Sequence, residues 1–179
     1  MRASAAFGPA VEAAVRAQIP PDVFEQIEAA AKIEWLPVQL DVVFTEGVYQ
    51  VLGESGVRKL SHDAMVRSTE GSLTGPFLRG TLRLFGLSPA HLLKLARQFW
   101  QVVYRDCGRA EAVSIGPGES RIELFDIPPV MGTSPPYLKS IQGGIEGVLT
   151  LTRVQGSVEL DTTRKQENRF TFTVRWIKR

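Results

Sequence analysis

Cysteine and histidine are scarce in this sequence. Its 179 residues include one cysteine, Cys107, and two histidines, His62 and His91. A single cysteine excludes an intramolecular disulfide, and it excludes a zinc site built from several thiolates. Neither histidine has a partner ligand at the spacing that zinc requires, so we expect both on solvated helix surfaces. The sequence therefore predicts no metal centre, and its cysteine usage is typical of a reducing compartment.

Long apolar runs and a strong net charge are missing as well. The chain has 21 Lys and Arg against 19 Asp and Glu, which gives a formal charge of +2. That charge is too small to indicate a polyanionic partner such as a nucleic acid. No window approaches the roughly 18 uncharged apolar residues of a membrane span, and Glu12 and Arg16 interrupt the apolar core that a secretory signal needs. We therefore expect a cytoplasmic protein with no membrane span.

The order of helix and strand signals predicts an α+β fold. Alternating strand patterns occur only in the second half of the chain, as two pairs, and each pair follows a helical pattern. Two such helix–hairpin units predict a four-stranded antiparallel sheet with a helical N-terminal half packed on it. We expect a single domain over residues 1–179, with an N-terminal helical extension at 1–35 and a core α+β domain at 36–179.

Residues 89–107 are predicted to form a long central helix. Ser88 can cap it, and Pro89 can occupy its first turn. Its apolar face is too wide for packing on one side only, so we expect it to be covered on several sides. Earlier in the chain, Gly53 predicts the end of one helix because glycine readily adopts the left-handed cap conformation.

Aromatic and glycine residues define the candidate ligand pocket. The aromatic side chains of the predicted central helix, together with Tyr137 and Trp176, can line an apolar cavity or fill the core. The helix predicted after residue 135 carries a patch of glycines that lets a flat ligand approach closely. A tight helix–helix contact, within the chain or in a homodimer, is the alternative explanation of that patch. The candidate pocket residues are Phe99, Trp100, Tyr104, Gly143, Gly144 and Gly147.

The residue types used in catalysis do not form a recognisable constellation. Cys107 falls at the C-terminal end of the predicted central helix, where the helix dipole opposes a thiolate. His62 and Asp63 are adjacent and should diverge on a helix. Gly116-Pro117-Gly118 joins two strands and opens no helix, so it does not form a phosphate loop. We expect no enzyme, because an enzyme using His91 or Cys107 needs a pocket with a second titratable group.

Residues 76–127 allow a second interpretation, a winged helix that binds DNA. The predicted order of helix, turn, helix and hairpin is that of such a domain, with residues 89–107 as the recognition helix. This interpretation requires one free helix face with polar and basic side chains exposed to base edges. Because apolar residues dominate the helix, we treat DNA binding as the alternative. The side chains that must be exposed are Lys94, Arg97, Gln98, Gln101 and Arg105.

Residues 36–179 resemble an uncharacterised bacterial family. The resemblance rests on the run GPFLRGTLRLFGLSPAHLLKLARQFWQVVYRDCGRAEAVSIGPGESRIELFDIPP, on YLKSIQGGIEGVLTL, and on a last strand ending TFTVRW. The family is a myxobacterial-type domain of unknown function of about this length. It resembles in turn the superfamily of heme-NO-binding, 4-vinyl-reductase and TRAPP-type domains. The resemblance implies an α+β fold, and it implies ligand sensing or scaffolding instead of catalysis.

The chain departs from these relatives at their functional motifs. The Tyr-x-Ser-x-Arg motif that holds heme propionates in heme-NO-binding relatives is missing, and so are the cysteines of metal-binding 4-vinyl-reductase-like domains. TRAPP-type relatives pair through helices and can carry a lipid in an apolar channel, but no residue of that site transfers to this chain. We therefore expect no cofactor. The expected function is a non-enzymatic regulatory or scaffolding domain that binds an apolar small molecule, a second copy or a partner protein.

Overall fold

Helices occupy most of the first half of the chain, and strands occupy the second half. The computed structural model describes residues 8–30, 35–68, 80 and 88–177. The helices are α1 (Pro9–Gln18), α2 (Pro21–Ala29), α3 (Val38–Ser68), α4 (Pro89–Lys94), α5 (Ala96–Val103), α6 (Pro129–Gly132) and α7 (Pro135–Leu151). The strands are β1 (Arg109–Gly116), β2 (Glu119–Phe125), β3 (Gly156–Asp161) and β4 (Arg169–Trp176). The first helix of the winged-helix interpretation, before Ser88, lies outside the described residues apart from Gly80.

The sheet confirms the predicted α+β class and its two hairpins. Its four antiparallel strands have the order β1-β2-β4-β3, so the hairpins β1–β2 and β3–β4 join where β2 pairs with β4. The register places Ile122 opposite Phe172, and Val158 opposite Val174. Alternation along β4 buries every second side chain, as the sequence predicted. These buried residues form the inner face of the sheet and pack against α7.

A second hydrophobic cluster joins the N-terminal helices to α3. Val15, Ile19 and Phe24 of the α1–α2 region pack there against Val48 and Val57. Each helix places its apolar residues on the face toward α3, which is the behaviour of amphipathic helices on a core. The longest helix, α3, therefore contacts α1 and α2 on one side and α7 on another.

The contact between α3 and α7 explains two of the glycines in the predicted patch. A Cβ atom at Gly143 would lie 2.2 Å from the backbone oxygen of Arg58, and one at Gly147 would lie 2.6 Å from the Cβ of Met65. Only glycine allows the two helices to approach so closely. The seam is also closed by an ion pair of Arg58 with Glu146. The close approach that the glycines permit is thus made within one chain.

A backbone kink at Gly53 divides α3, as predicted. Gly53 has φ 65° and ψ −168°, which lie outside the helical region. Positive φ is unfavourable for a residue with a Cβ atom because of steric clashes. Glycine has no Cβ atom, so it allows the chain to change direction here.

The predicted helix over residues 89–107 is wrong in extent. It divides at Leu95 into α4 and α5 and ends at Val103, because Tyr104 is extended with φ −124° and ψ 133°. Cys107 therefore lies in the turn that follows the helix and not at its end. Positive φ at Gly108 completes this turn, and a Cβ atom there would lie 2.2 Å from the backbone oxygen of Phe125.

The expected burial of this helix on several sides is also wrong. Trp100 is the buried residue of α5, whereas Val102 and Val103 are 39% and 38% exposed. The apolar face is wide because it includes these partly exposed valines, and not because the helix is covered on all sides. The helix that lies between other elements is α7, with Tyr137 fully buried against α3 and the sheet.

Candidate functional site

A cavity of about 370 Å³ lies between the helices and the inner face of the sheet. Its volume falls in the range of roughly 300–1,000 Å³ that small-molecule pockets occupy. Four of the six predicted pocket residues line it: Phe99, Trp100, Tyr104 and Gly144. Gly143 and Gly147 pack against α3 instead. The wall also contains the polar side chains of Asp41, Thr45, Ser61, Ser68 and Ser140. Most of the rest is apolar and includes Leu60, Met65, Leu92, Leu93, Ala96, Ile122, Leu124, Ile141, Ile145 and Val148.

A smaller cavity of about 310 Å³ adjoins the first near the start of α3. Trp35, 48% exposed, stands at its wall. The two cavities share four lining residues, Asp41, Phe44, Val103 and Tyr104. These residues form the partition between the cavities, so a group on the partition is accessible from both sides.

A hydrogen bond and an aromatic contact hold the wall of the larger cavity in place. The indole Nε1 of Trp100 donates a hydrogen bond of 3.1 Å to the backbone oxygen of Cys107. The rings of Trp100 and Tyr104 lie against each other, with centroids 4.3 Å apart. The chain that leaves α5 is thus tied back onto the helix, which orients the Tyr104 hydroxyl toward the partition.

A hydrogen-bonded cluster of Asp41, Tyr104 and Tyr137 occupies the partition. The Tyr137 hydroxyl lies 2.6 Å from Asp41 Oδ2 and 3.2 Å from the Tyr104 hydroxyl. Tyr137 comes from the first turn of α7, where Ser134 caps the helix by accepting from the Tyr137 amide. Sequence reasoning missed the role of Asp41. The available signal was an acidic residue placed directly between the buried Leu40 and Val42 of α3.

Burial shapes the acid–base chemistry of this cluster. Desolvation raises the pKa of Asp41 above its ordinary value of 3.8, although the hydrogen bond from Tyr137 opposes that shift. Asp41 is exposed as a residue and lines both cavities, so its carboxyl group is within reach of a small molecule. Desolvation also raises the pKa values of Tyr104 and Tyr137. Both hydroxyls therefore remain protonated and act as hydrogen-bond donors.

The Asp41→Asn variant is expected to be more stable than the unmodified protein at neutral pH, but not at acidic pH. Folding raises the pKa of Asp41, so the unmodified protein loses stability as pH rises above 3.8, and the neutral amide does not. The hydrogen-bond partner Tyr137 and the residues Tyr104, Arg105 and Cys107, which line the smaller cavity with Asp41, are unchanged in the variant. Thermal unfolding midpoints measured across this pH range should diverge with increasing pH, and a constant difference would contradict the prediction.

Cys107 is placed as a structural thiol. It is 5% exposed, and its Sγ lies 3.1 Å from the backbone oxygen of Arg105. Burial raises the pKa of the thiol, with the nearby Asp106 acting in the same direction. A protonated, buried thiol is a poor nucleophile.

Neither histidine lines the larger cavity. His91 is exposed on α4. The expectation that His62 and Asp63 diverge is wrong, because His62 Nδ1 lies 2.9 Å from Asp63 Oδ1. The other ring nitrogen of His62 lies 2.8 Å from Thr150 Oγ1 of α7, so the imidazole bridges two helices. Within the described ranges no group of three His, Cys, Asp or Glu side chains could hold a metal ion.

The helix face required for DNA binding is exposed, but its hairpin is not a free wing. Lys94, Arg97, Gln98, Gln101 and Arg105 all lie on the surface, as the winged-helix interpretation requires. However, β2 pairs along its whole length with β4, from Glu119 opposite Arg175 to Phe125 opposite Arg169. The hairpin that should act as a wing is therefore an integral part of the four-stranded sheet.

Comparison with known proteins identifies the fold. No family model matches the chain, and no curated protein matches it. Among solved structures, the Fe(II) unliganded H-NOX protein from K. algicida has a TM-score of 0.65 at 9% identity, over 97% of this chain and 89% of that one. The fold is that of H-NOX domains.

Two further H-NOX structures support this assignment. An oxygen-binding H-NOX domain related to soluble guanylate cyclases, solved as its oxygen complex, has a TM-score of 0.66 at 12% identity, over 99% of this chain and 90% of that one. An H-NOX protein from S. oneidensis in the Fe(II)NO ligation state has a TM-score of 0.59 at 10% identity, over 94% and 96%. The predicted resemblance to heme-NO-binding domains is thus confirmed at the level of the fold. The myxobacterial-type family stays a prediction.

The side chains around the cavity do not fit the heme that the H-NOX fold implies. Heme iron takes His, Cys, Met or Tyr as its protein ligand. The two histidines and the cysteine of the chain do not line the larger cavity. Of the remaining ligand types, Met65 and Tyr104 line it, but the raised pKa of Tyr104 opposes the phenolate that iron ligation requires. A histidine- or thiolate-ligated heme therefore has no axial ligand in this cavity.

No helix among the described residues is both long enough and apolar enough to cross a bilayer.

Proposed function

We propose that this protein is a non-enzymatic, small-molecule-sensing domain that binds an apolar ligand in the larger cavity. The observation that carries the proposal is the open cavity of about 370 Å³ between α3, α4, α5, α7 and the sheet. Apolar walls with few polar groups are the usual composition of a ligand pocket. The H-NOX fold supports a sensing role by analogy, because the structures that share it bind small ligands such as oxygen and NO.

The position of the cavity supports regulation by the ligand. The wall includes residues of α3 and α7, the helices whose seam is closed by Gly143 and Gly147. A ligand between them would contact both helices and part of the sheet at once. Ligand binding can shift a conformational equilibrium only when the ligand contacts elements that move relative to one another. We expect ligand binding to change the packing of α3 against α7. The proposal includes a partner protein or a second copy of the chain that binds differently after this change.

Among the described residues, no histidine or cysteine lines the larger cavity, and this directs the proposal toward an organic molecule held by apolar contact. The proposed ligand needs no iron, because shape and burial of apolar surface provide the binding energy. Burial contributes about 25 cal/mol per Å² of apolar surface. A catalytic role receives no support from Cys107, which is buried with a raised pKa.

A variant that fills the cavity tests this function. Ala96 lines the cavity, so Ala96→Phe should place a ring in the ligand space and weaken binding at least tenfold. Ala17→Phe on the exposed side of α1 is the matched control and should leave binding unchanged. The measurement is native mass spectrometry of purified protein, with thermal shifts for medium-chain alcohols, amines, carboxylic acids and a porphyrin.

The expected result is an apolar ligand that raises the unfolding midpoint of the unmodified protein and of Ala17→Phe, but not of Ala96→Phe. A ligand at a hundred times its Kd stabilises the folded state by about 2.7 kcal/mol, which is readily measured. Cooperative unfolding of Ala96→Phe without ligand would show that the variant folds. The proposal would be overturned if native mass spectrometry showed only the mass of the polypeptide and no compound raised the unfolding midpoint.

A further inference from the structure

The partition between the two cavities carries the most unusual polar chemistry of the described residues. Asp41 is the acidic residue of the larger cavity's described lining, beside Phe44 and Val103. The other polar side chains include the hydroxyl groups of Thr45, Ser61, Ser68 and Ser140, and Arg105 lines the smaller cavity. Asp41 is exposed as a residue, and its carboxyl group lies beside a largely apolar space, where it gains from a hydrogen-bond partner. One oxygen of Asp41 has a partner, the Tyr137 hydroxyl at 2.6 Å. Its other side is open to the cavities.

The direction of the hydrogen bonds among Asp41, Tyr104 and Tyr137 determines which donors and acceptors remain free for a ligand. A tyrosine hydroxyl has one proton, and the short 2.6 Å contact assigns the Tyr137 proton to Asp41. The 3.2 Å contact between the two tyrosines then requires the Tyr104 hydroxyl to donate to the Tyr137 oxygen. The Tyr104 hydroxyl thus donates to Tyr137, and the Tyr137 hydroxyl donates to Asp41. The capacity left over is therefore acceptor capacity, on the Asp41 carboxylate and on the Tyr104 oxygen.

We infer that the ligand of the larger cavity is an amphipathic molecule whose apolar body ends in a hydrogen-bond donor, a hydroxyl or an amine, and that Asp41 accepts this donor. The inference rests on the proposed function and adds the chemical class of the ligand. An apolar chain fills the space beside Trp100 and Gly144, and the donor end reaches the partition. A ligand that ends in a carboxylate is disfavoured, because its charge would lie beside Asp41.

The expected preference among ligand end groups follows from the acceptor capacity that remains on the Asp41 carboxylate. A site built to accept a hydrogen bond disfavours an analogue that cannot donate one, since the bound analogue displaces water from the acceptor and leaves it without a partner. An ammonium group gains charge attraction as well, and a carboxylate meets repulsion between like charges. Binding should therefore be tightest for an amine and an alcohol, and weakest for an acid with the same chain.

The test compares octylamine, 1-octanol and octanoic acid with the purified full chain at neutral pH, by isothermal titration calorimetry. Octylamine and 1-octanol are expected to bind at least tenfold more tightly than octanoic acid. The Asp41→Asn variant keeps an oxygen for Tyr137 but removes the carboxylate. It should lose most of the preference for octylamine, about tenfold or more, and should bind octanoic acid no more weakly than the unmodified protein does.

Glu46→Gln provides the matched control, because it removes one negative charge from the same helix at an exposed position. Glu46 accepts from the Ser134 hydroxyl at 2.8 Å and does not line either cavity. The control should keep the preference for octylamine. If all three compounds bind equally and Asp41→Asn changes nothing, the inference is overturned while the proposed function stands. If none of them binds and the wider panel also fails, the proposed function itself is overturned.

Discussion

Replacing Gly143 with alanine is expected to destabilise the protein strongly, whereas the same change at the adjacent Gly144 is expected to be harmless. The new methyl group at Gly143 would lie 2.2 Å from the backbone oxygen and 2.7 Å from the Cα of Arg58. Both of these atoms belong to the α3 backbone, so a side-chain rotation cannot relieve the clash. The whole helix must shift, and overpacking of this kind costs about 1–3 kcal/mol or more.

Gly144 is the matched control for this prediction. A Cβ atom there would have Met65 Cε as its nearest neighbour at 4.0 Å, because the position faces the larger cavity. Alanine is favoured over glycine inside a helix by about 1 kcal/mol, so Gly144→Ala should be neutral or slightly stabilising. Urea unfolding followed by circular dichroism compares the two variants. Equal midpoints for both would show that α3 and α7 do not pack as closely as described.

Trp100→Ala is expected to be the most destabilising change in the cavity wall, at about 3–5 kcal/mol. Trp100 is 7% exposed, stacks on Tyr104 and donates to the Cys107 backbone. Its removal would enlarge the cavity and release the chain that leads from α5 into β1. The backbone oxygen of Cys107 would also lose its partner, which adds to the cost.

Trp35→Ala removes an equal side chain from a position that is 48% exposed, and it serves as the control. Its cost should be about 1 kcal/mol at most, because about half of the ring is already in water. Trp100→Phe should fall between the two, since it keeps apolar volume but loses the hydrogen bond. Urea unfolding is again the measurement. A Trp100→Ala variant as stable as Trp35→Ala would place Trp100 outside the core.

Strand patterns were readable from the sequence because alternation is a local property. The alternation in the last two strands predicts one inward face made of Val158, Leu160, Phe170, Phe172, Val174 and Trp176. All are buried together except Leu160, which is partly buried and packs against the same core. The kink at Gly53 followed from the conformational freedom of one residue. Each of these features depends on near neighbours along the chain, so neighbouring residues were sufficient to predict it.

The extent and burial of the helix after Ser88 were not readable in the same way. Its apolar residues indicated a helix covered on several sides, but the helix divides at Leu95 and leaves Val102 and Val103 exposed. Where a helix ends depends on what the next segment packs against. Here the turn at Gly108 must pass close to the backbone of Phe125.

Some features of the candidate site could likewise be predicted from the sequence, whereas others could not. The sequence by itself determined the α+β class, the two helix–hairpin units, and a set of aromatic and glycine residues of which four line one cavity. Only the tertiary structure separated Gly144, at the cavity, from Gly143 and Gly147, at the α3–α7 seam. It alone brought Asp41 within 2.6 Å of Tyr137, which lies 96 positions away in the chain. The reason is physical: residue types and their periodicity act locally, whereas a cavity and its polar groups exist only where distant helices meet.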